Sequence, residues 1–215
     1  MTYSEYWSYF GEDLFQQFGE HLTVVLLATL LGSIVGVATG IAVYRTPTAS
    51  ALAIRASGVL LTIPSLALYV LLLGLLGLGW PPVLTALTLY SLLPIVQNTI
   101  VGLQGVDKPT IEAAAAIGMS RRRRLVRVEI PIAWPIILTG IRVSALLLVS
   151  TAAIGAIVRG PGLGGAIYDG LNSIGTPTAL YSALSGIGGI IIVGLILNVA
   201  FMVLARLTIS RGLSD

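Results

Sequence analysis

The sequence predicts an all-α membrane protein whose chain crosses the bilayer five times. Hydrophobic residues make up 56% of the chain and charged residues only 10%, which is too little charge to solvate the surface of a water-soluble domain. The apolar residues fall into five long runs, and each run supplies the roughly 20 residues that a helix needs to cross a bilayer. The charged residues cluster mainly in the segments outside these runs, which marks those segments as loops and ends.

The five runs predict one transmembrane domain over residues 21–207, followed by a short cytoplasmic tail at residues 208–215. Any single run could instead be a buried helix of a soluble protein, but five in succession favour a membrane. An acidic segment, not a basic one, precedes the first run, which argues against a cleaved signal peptide. The predicted spanning helices comprise residues 22–44, 56–77, 83–104, 132–158 and 179–205.

Residues 1–20 carry a stripe of aromatic and apolar side chains ahead of the first run. They recur at helical spacing with acidic residues between them, so we expect an interfacial helix on the outer surface of the membrane. The stripe consists of Tyr3, Tyr6, Trp7, Phe10, Leu14 and Phe18.

The first run contains small residues spaced four apart, which therefore share one face of a helix. Small residues let helices approach closely in lipid. We expect this face to meet a neighbouring helix of the same chain, with a second subunit as the alternative. The residues are Ala28, Gly32, Gly36 and Gly40.

Two prolines interrupt the next two runs, Pro64 in the second and Pro94 in the third. Proline removes a backbone hydrogen bond, so each position predicts a kink or a broken helix. Such breaks are tolerated in a membrane where neighbouring helices or a wet cavity satisfy the freed backbone groups.

Positive charge is concentrated in alternate segments of the chain. Arg45 and Arg55 border the first inter-helix loop, and Arg206 and Arg211 follow the fifth run. Because cytoplasmic loops are enriched in Lys and Arg, the amino terminus is predicted outside and the carboxyl terminus in the cytoplasm. The loop after the third run holds Lys108, Arg121, Arg122, Arg123, Arg124 and Arg127. We interpret the four consecutive arginines as a topology determinant near anionic headgroups, not as a nucleic-acid site.

The same loop, residues 105–131, predicts a short helix displayed on the cytoplasmic side. Pro109 or Thr110 can begin it, Glu112 would lie in its first turn, and the following alanines extend it. Gly118 is expected to adopt a positive φ and turn the chain sharply. A short exposed helix suits a groove on another protein, whereas the alternative is an alanine-rich surface helix without a partner. The residues singled out are Glu112, Ala113, Ala114, Gly118, Ile130 and Pro131.

That spacing resembles the loop through which permeases of ABC importers meet their ATPase. Three further segments, residues 62–68, 93–99 and 160–165, resemble the osmoprotectant permeases that import glycine betaine, carnitine, choline or proline. Gln97 departs from the family pattern, which usually has arginine there, and the run of arginines is more basic than expected.

The resemblance implies the five-helix transmembrane domain of type I ABC importers, with the short loop helix as coupling helix. It also implies partners: a second copy of the permease or a similar subunit, two cytoplasmic ATPases and an extracytoplasmic substrate-binding protein. ATP and Mg²⁺ would be bound by the ATPases, so no cofactor is expected in this chain. An ABC permease for another small solute such as an amino acid, or a secondary carrier or channel, remains as the alternative.

Polar residues inside apolar runs are candidates for the translocation path, because they are costly in lipid and tend to face a cavity or a partner. For Arg142 the alternative is a position at the cytoplasmic interface. The candidate path residues are Pro64, Gln97, Asn98, Arg142 and Asn198.

The glycine-rich loop over residues 159–178 is expected to form an outer gate or a dock for the binding protein. Its candidate residues are Gly160, Gly162, Gly165, Asp169 and Asn172.

Other functions find little support in the sequence. Gly160, Gly162 and Gly165 fit G-x-G-x-x-G, but that dinucleotide fingerprint requires a preceding strand, and here an apolar helix precedes it. No Walker loop occurs in the chain. His21 is the only histidine and there is no cysteine, so we interpret His21 as an interfacial residue and expect no metal site. No catalytic set of nucleophile, base and acid can be assembled, which predicts that the chain is not an enzyme.

Overall fold

The computed structural model describes residues 2–209, and within that range the regular structure is entirely helical. A π-helical turn, Leu125–Glu129, precedes α7, and a 3-10 turn, Gly155–Val158, follows it. The helices are α1 (Tyr3–Val43), α2 (Pro47–Thr62), α3 (Ser65–Leu76), α4 (Trp80–Gln104), α5 (Lys108–Ala116), α6 (Arg121–Arg124), α7 (Ile130–Ile154), α8 (Gly164–Asn172) and α9 (Ala179–Thr208). The predicted all-α fold is confirmed, whereas Arg211 and most of the predicted tail lie outside the described residues.

Four continuous helical segments are long and apolar enough to cross a membrane, and a bent pair of helices supplies the fifth candidate span. The continuous segments are Tyr3–Val43, Trp80–Gln104, Arg121–Val158 and Ala179–Thr208. Large apolar side chains remain exposed along α9, among them Ile191, Leu195 and Val199. Exposed apolar surface of this kind is expected where a helix faces lipid or another membrane subunit.

Helix α1 differs from the prediction because the amino-terminal segment and the first span form one helix of 41 residues. Thr2 caps it, accepting a hydrogen bond from the Glu5 backbone while the Glu5 carboxylate accepts one from the Thr2 backbone. No proline interrupts the sequence between residues 3 and 43, and Gly19 alone does not stop a helix. The predicted boundary at residue 20 is therefore absent, and the aromatic stripe continues directly into the span.

The second predicted span, residues 56–77, is not one helix. Helices α2 and α3 are bent by 92° about the break at Ile63 and Pro64. Ile63 is extended, with φ −67° and ψ 125°, the conformation that a residue before proline prefers. Pro94, in contrast, lies inside α4, which continues through it without a break.

The glycine stripe of α1 packs against α4, as expected for contact within one chain. A Cβ added at Gly36 would lie 2.8 Å from Cγ2 of Ile95, and one at Gly40 would lie 2.6 Å from Cβ of Thr99. A Cβ added at Gly32 would lie closer still to the side chain of Ser91. Helix α4 therefore sits at the centre of the bundle, between α1, α2 and α7.

Candidate coupling helix, membrane path and glycine loop

Helix α5 is the short helix expected between the third and fourth spans, and it begins earlier than predicted. Asp107 is its N-cap, and its carboxylate accepts a 3.0 Å hydrogen bond from the Thr110 backbone N–H. Hydrogen bonds from the Thr110 side chain and backbone lower the pKa of Asp107. Because the helix starts at Lys108, Glu112 lies in the second turn and not in the first. The missed signal was Asp107, which stands two residues before Pro109.

Gly118 ends this helix with the positive φ that the sequence predicts. Its φ is 82°. The Gly118 N–H donates to Ala115 O at 2.9 Å, and the Met119 N–H donates to Ala114 O at 3.2 Å. These two bonds form a Schellman motif, which satisfies the last carbonyl groups of the helix and reverses the chain.

The surface of α5 combines one acid with small and apolar side chains. Ala114 is buried against the rest of the chain. The exposed residues are Glu112, Ala113, Ala115 and Ala116. Ile117, a residue that is 75% exposed, extends the apolar surface. A narrow helix with an apolar tip has the shape expected of a ridge that enters a groove on a partner.

The chain returns to the bundle through α6 and the π-helical turn. Arg121, Arg122 and Arg123 are exposed, whereas Arg124 is half-buried and its Nε has no hydrogen-bond partner among the described residues. Ile130 is the first residue of α7, and Pro131 occupies the second position. Proline fits there because its missing N–H would have no partner in the first turn of a helix.

A buried cluster of polar side chains, which sequence reasoning missed, connects this loop to the end of α1. Glu129 is 2% exposed. Its carboxylate accepts a 2.5 Å hydrogen bond from the Tyr44 hydroxyl and a 3.0 Å bond from the Arg45 guanidinium. Arg45 Nε also donates to the Tyr44 hydroxyl oxygen at 2.6 Å. The available signal was the one acid among the five arginines of residues 121–131, placed two residues before Pro131.

Burial of Tyr44, together with its hydrogen bond to the Glu129 carboxylate, raises the pKa of this tyrosine to about 12. Gln104, the last residue of α4, donates from Nε2 to the backbone carbonyl of Tyr44 at 2.7 Å. Gln104 precedes α5 in the sequence and Glu129 follows it. Both ends of the α5 segment are therefore bonded to the same end of α1.

Pro64 borders a cavity of about 280 Å³ at the break between α2 and α3. Thr62, Ser65, Tyr90 and Thr151 contribute to its wall. The Tyr90 hydroxyl donates to Ile63 O at 2.8 Å, which holds one side of the break. The first N–H groups of α3 have no side-chain cap among the described residues and cannot bond within the helix. In a membrane such groups require a wet cavity or a polar partner.

The other predicted path residues do not join this cavity. Arg142 donates to Oδ1 of Asn198 at 2.8 Å and so connects α7 to α9. Asn98 donates from its amide to Pro94 O at 2.8 Å and lies against Gly140 of α7. Gln97, one residue earlier, is exposed. Of the five residues that the sequence grouped together, Arg142 and Asn198 are thus joined by a hydrogen bond, and only Pro64 lines the cavity.

The backbone of the glycine-rich segment, residues 159–178, donates hydrogen bonds to side chains on one face of α1. The Gly162 N–H donates to Glu20 Oε2 at 3.3 Å, and the Ala166 N–H donates to Gln17 Oε1 at 3.2 Å. Gly162 has φ 105° and lies directly against His21. Helix α8 starts at Gly164, so the segment predicted as a loop over residues 159–178 contains a helix. Asp169 and Asn172 are exposed on α8.

His21 is fully buried, which makes its interpretation as an interfacial residue wrong. Its Nε2 lies 3.0 Å from Val149 O, and Nδ1 has no hydrogen-bond partner among the described residues. The bond to a carbonyl requires the proton on Nε2. The ring therefore acts as a packed connection between α1, α7 and the glycine-rich segment, because Gly162 leaves room for it.

Comparison with known families gives a match to the model of the binding-protein-dependent transport system inner membrane component over residues 28–210. The matched region comprises all the candidate residues described above except those of the amino-terminal part of α1.

Several characterised proteins are similar along most of the chain. The glycine betaine/carnitine/choline transport system permease protein OpuCB of Bacillus subtilis is 37% identical over 206 residues, which cover 94% of this chain and 92% of the relative. The carnitine transport permease protein OpuCB of Listeria monocytogenes is 40% identical over 162 residues, covering 75% and 74%. The choline transport system permease protein OpuBB of Bacillus subtilis is 37% identical over 195 residues, covering 91% and 86%.

Among solved structures, the inward-facing MetNI methionine ABC transporter has the same fold. One crystal form gives a TM-score of 0.79 at 20% sequence identity, covering 92% of this chain and 96% of the matched chain. A second crystal form gives a TM-score of 0.78. At this identity the similarity concerns the fold alone.

Proposed function

Because the chain belongs to the family of binding-protein-dependent transport system inner membrane components, we propose that it is the permease subunit of an ATP-driven importer for a small quaternary ammonium solute. The observation that carries the substrate class is the 37% identity to a glycine betaine/carnitine/choline permease over 94% of the chain. Glycine betaine, carnitine and choline are therefore the proposed substrates, with proline, a zwitterion that is not a quaternary ammonium compound, as a further candidate.

The proposed complex contains two permeases, two ATPases that bind ATP and Mg²⁺ on the cytoplasmic side, and a substrate-binding protein outside. The exposed ridge of α5 supports an ATPase contact, since its alanines and Ile117 offer apolar surface beside Glu112. The second permease would be a copy of this chain or a similar subunit.

The proposed orientation in the cell membrane has the amino terminus outside and the carboxyl terminus in the cytoplasm. It rests on the concentration of cations around α5 and α6, together with Arg45 at the same end of the bundle. The other end of α1 carries mainly acids. This distribution follows the rule that positive residues stay on the cytoplasmic side.

In the proposed mechanism, ATP binding moves the ATPases together and displaces α5. The bonds from Gln104 and Glu129 to the Tyr44–Arg45 end of α1 transmit this displacement to the bundle. The break between α2 and α3 lies beside a polar cavity and is the proposed position of the passage. Broken helices with free backbone groups occur at the substrate sites of many transporters.

Reconstitution of the permease with its ATPase and binding protein in liposomes tests this function. We expect ATP-dependent uptake of at least one of glycine betaine, carnitine and choline. We also expect Glu112→Arg to abolish uptake, because charge reversal on the ridge opposes docking, while the permease inserts normally and the ATPase fails to co-purify or to respond. Arg122→Gln is the matched control in the same loop, and its uptake is expected to stay near that of the wild type.

Two results would contradict the proposal. Uptake of methionine or a sugar in preference to all three ammonium compounds would reject the substrate class. Normal uptake by the assembled Glu112→Arg complex would reject α5 as the coupling helix.

A further inference from the structure

The basic end of the bundle holds a second cavity, and the mechanism above uses only the wall that carries Glu129. The cavity measures about 430 Å³ and lies between the end of α1, the end of α4, the start of α5 and α6. Helices α1 and α4 are candidate membrane spans, and they end here at Val43 and Gln104. The cavity therefore lies where the bundle leaves the membrane, within reach of both lipid headgroups and soluble ligands.

Positive charge dominates the wall of this cavity. Among the described residues, Glu129 is the one acid of the wall, whereas four cations line it. The charge of Glu129 is already balanced, because its carboxylate accepts hydrogen bonds from Arg45 and Tyr44. The four cations are Arg45, Lys108, Arg121 and Arg124.

The three cations other than Arg45 have no counter-charge within the described part of the chain. The side chains of Lys108, Arg121 and Arg124 form no ion pair and no hydrogen bond among residues 2–209. The other acids of this loop do not compensate them. The Asp107 carboxylate caps α5, and Glu112 is exposed outside the cavity wall. An anion that enters the cavity would therefore meet uncompensated positive charge.

Arg124 differs from the neighbouring arginines because the protein partly encloses it. It is half-buried, and its Nε is closed off from solvent without a hydrogen-bond partner among the described residues. A charged donor held out of water without an acceptor costs free energy, and an anion that accepts from the guanidinium reduces this cost. Arg121 stands three residues earlier on α6 and therefore on the same helical face, so the two cations repel each other unless an anion neutralises them.

We propose that this cavity is a binding site for a phosphate group, either of an anionic phospholipid or of free phosphate. A guanidinium presents a fork of N–H donors that matches the oxygens of a phosphate, and a lysine adds a compact point charge. Arg122 and Arg123 stand on the same short helix but do not line the cavity, so the site is distinct from the general basic charge of the loop. Because Lys108 belongs to α5, a bound phosphate would connect α5 to the rest of the bundle.

The unfolding temperature of the purified full-length chain in phosphatidylcholine nanodiscs tests the site. We expect a saturable rise either when inorganic phosphate replaces chloride at constant ionic strength or when phosphatidylglycerol is added to the bilayer. The first response identifies free phosphate as the ligand, and the second identifies the lipid. The double variant Arg121→Gln, Arg124→Gln is expected to need at least about tenfold more of the same probe for an equal rise.

The double variant Arg122→Gln, Arg123→Gln is the matched control, since it removes the same charge from the same helix outside the cavity. It is expected to respond to the probes as the wild type does. Without either probe, Arg121→Gln, Arg124→Gln is expected to unfold at or above the wild-type temperature, because it removes uncompensated cations. A lower temperature there would overturn the inference, because the two arginines would then stabilise the protein through contacts of their own.

Absence of a rise with both probes would also overturn the site, as would an equal loss of the response in the two double variants, which a general charge effect predicts. The same titration on the permease–ATPase complex is expected to show the rise again. Its disappearance would show that the ATPase covers the cavity and would overturn the inference for the assembled importer. The inference does not depend on the transported solute, because residues of this chain alone line the cavity. A phosphate response without uptake of any proposed solute would therefore reject the proposed function alone.

Discussion

The buried carboxylate of Glu129 accepts hydrogen bonds from two donors at the end of α1. Its bonds to Tyr44 and Arg45 span 85 and 84 positions in the chain, so they connect segments that no local preference would bring together. Removing one partner of a buried polar pair leaves the other unsatisfied, which costs more than the bond itself contributed. The same residue therefore stabilises the bundle and connects it to α5.

We expect Glu129→Leu to destabilise the permease by about 1–3 kcal/mol and to weaken the stimulation of the ATPase by the binding protein. Glu129→Gln is the matched control: it still accepts from the Tyr44 hydroxyl but loses the charge that pairs with Arg45, so its effect is expected to be smaller. Thermal unfolding and stimulated ATPase activity of the two purified complexes measure the difference. Equal values for both variants and the wild type would show that the cluster contributes nothing.

Tyr44 gives this cluster a pH dependence at the alkaline end. Its folded-state pKa of about 12 lies above the ordinary value near 10, so the protonated hydroxyl favours the folded protein. The contribution is complete below about pH 10 and is lost as the pH rises towards 12. We expect the unfolding temperature of the wild type to fall more steeply over that range than the unfolding temperature of Tyr44→Phe. Parallel curves would contradict this assignment.

Gly118 illustrates a requirement of the backbone alone. Nothing lies within 4 Å of a Cβ added there, yet φ is 82°. A side chain in this conformation costs roughly 1–2 kcal/mol without any steric conflict with neighbours, and asparagine tolerates it better than branched residues do. Gly118→Val is therefore expected to lose most ATP-dependent uptake, with Gly118→Asn retaining more. Equal uptake by Val and Asn variants would show that the end of α5 does not need this turn.

At the scale of helices, the sequence predicted those features that depend on neighbouring residues. The alanine run and Gly118 predicted α5, and Pro64 predicted the break that separates α2 from α3. The continuity of α1 through residue 20 escaped prediction because nothing in the local sequence distinguishes an interfacial helix from the extension of a span. The cluster at Glu129 and the burial of His21 were not predicted, for another reason. The residues that these two side chains contact are distant in sequence, and only the packing of α1 against α4 and α7 brings them together.

That packing depends on the close approach of α1 to α4. A valine at Gly40 would place its Cβ 2.6 Å from Cβ of Thr99, which is fully buried. We expect Gly40→Val to lower the stability of the purified complex by about 1–3 kcal/mol, because an overfilled core forces helices apart. Gly19→Val is the matched control, since Gly19 lies on the same helix and nothing lies within 4 Å of its added Cβ. A similar unfolding temperature for the two variants would show that the interface adapts.

At the scale of the whole molecule, the bundle is asymmetric along α1. One end gathers Arg45, the arginines of α6 and the α5 ridge, whereas the other carries the carboxylates of Asp13 and Asp169. The apolar surface between them includes exposed leucines and isoleucines on α9. We expect this distribution to favour one orientation, because moving the basic end through the bilayer would transfer several cations across hydrocarbon.

Single-cysteine labelling tests that orientation, and the chain has no cysteine of its own to interfere. Positions beside Glu12 and Asn172 are expected to react with a membrane-impermeant maleimide in intact cells. Positions at Thr48, Ser120 and Ser214 are expected to react only after permeabilisation; Ser214 belongs to the predicted tail outside the described residues. Five crossings require the two groups to lie on opposite sides, since the bent pair α2–α3 then counts as one span.

If Thr48 reacted from outside while Asn172 did not, the bundle would be inverted, and α5 could not meet a cytoplasmic ATPase. If Glu12 and Ser214 reacted from the same side, the number of crossings would be even, and the α2–α3 pair would be a re-entrant loop instead of a span.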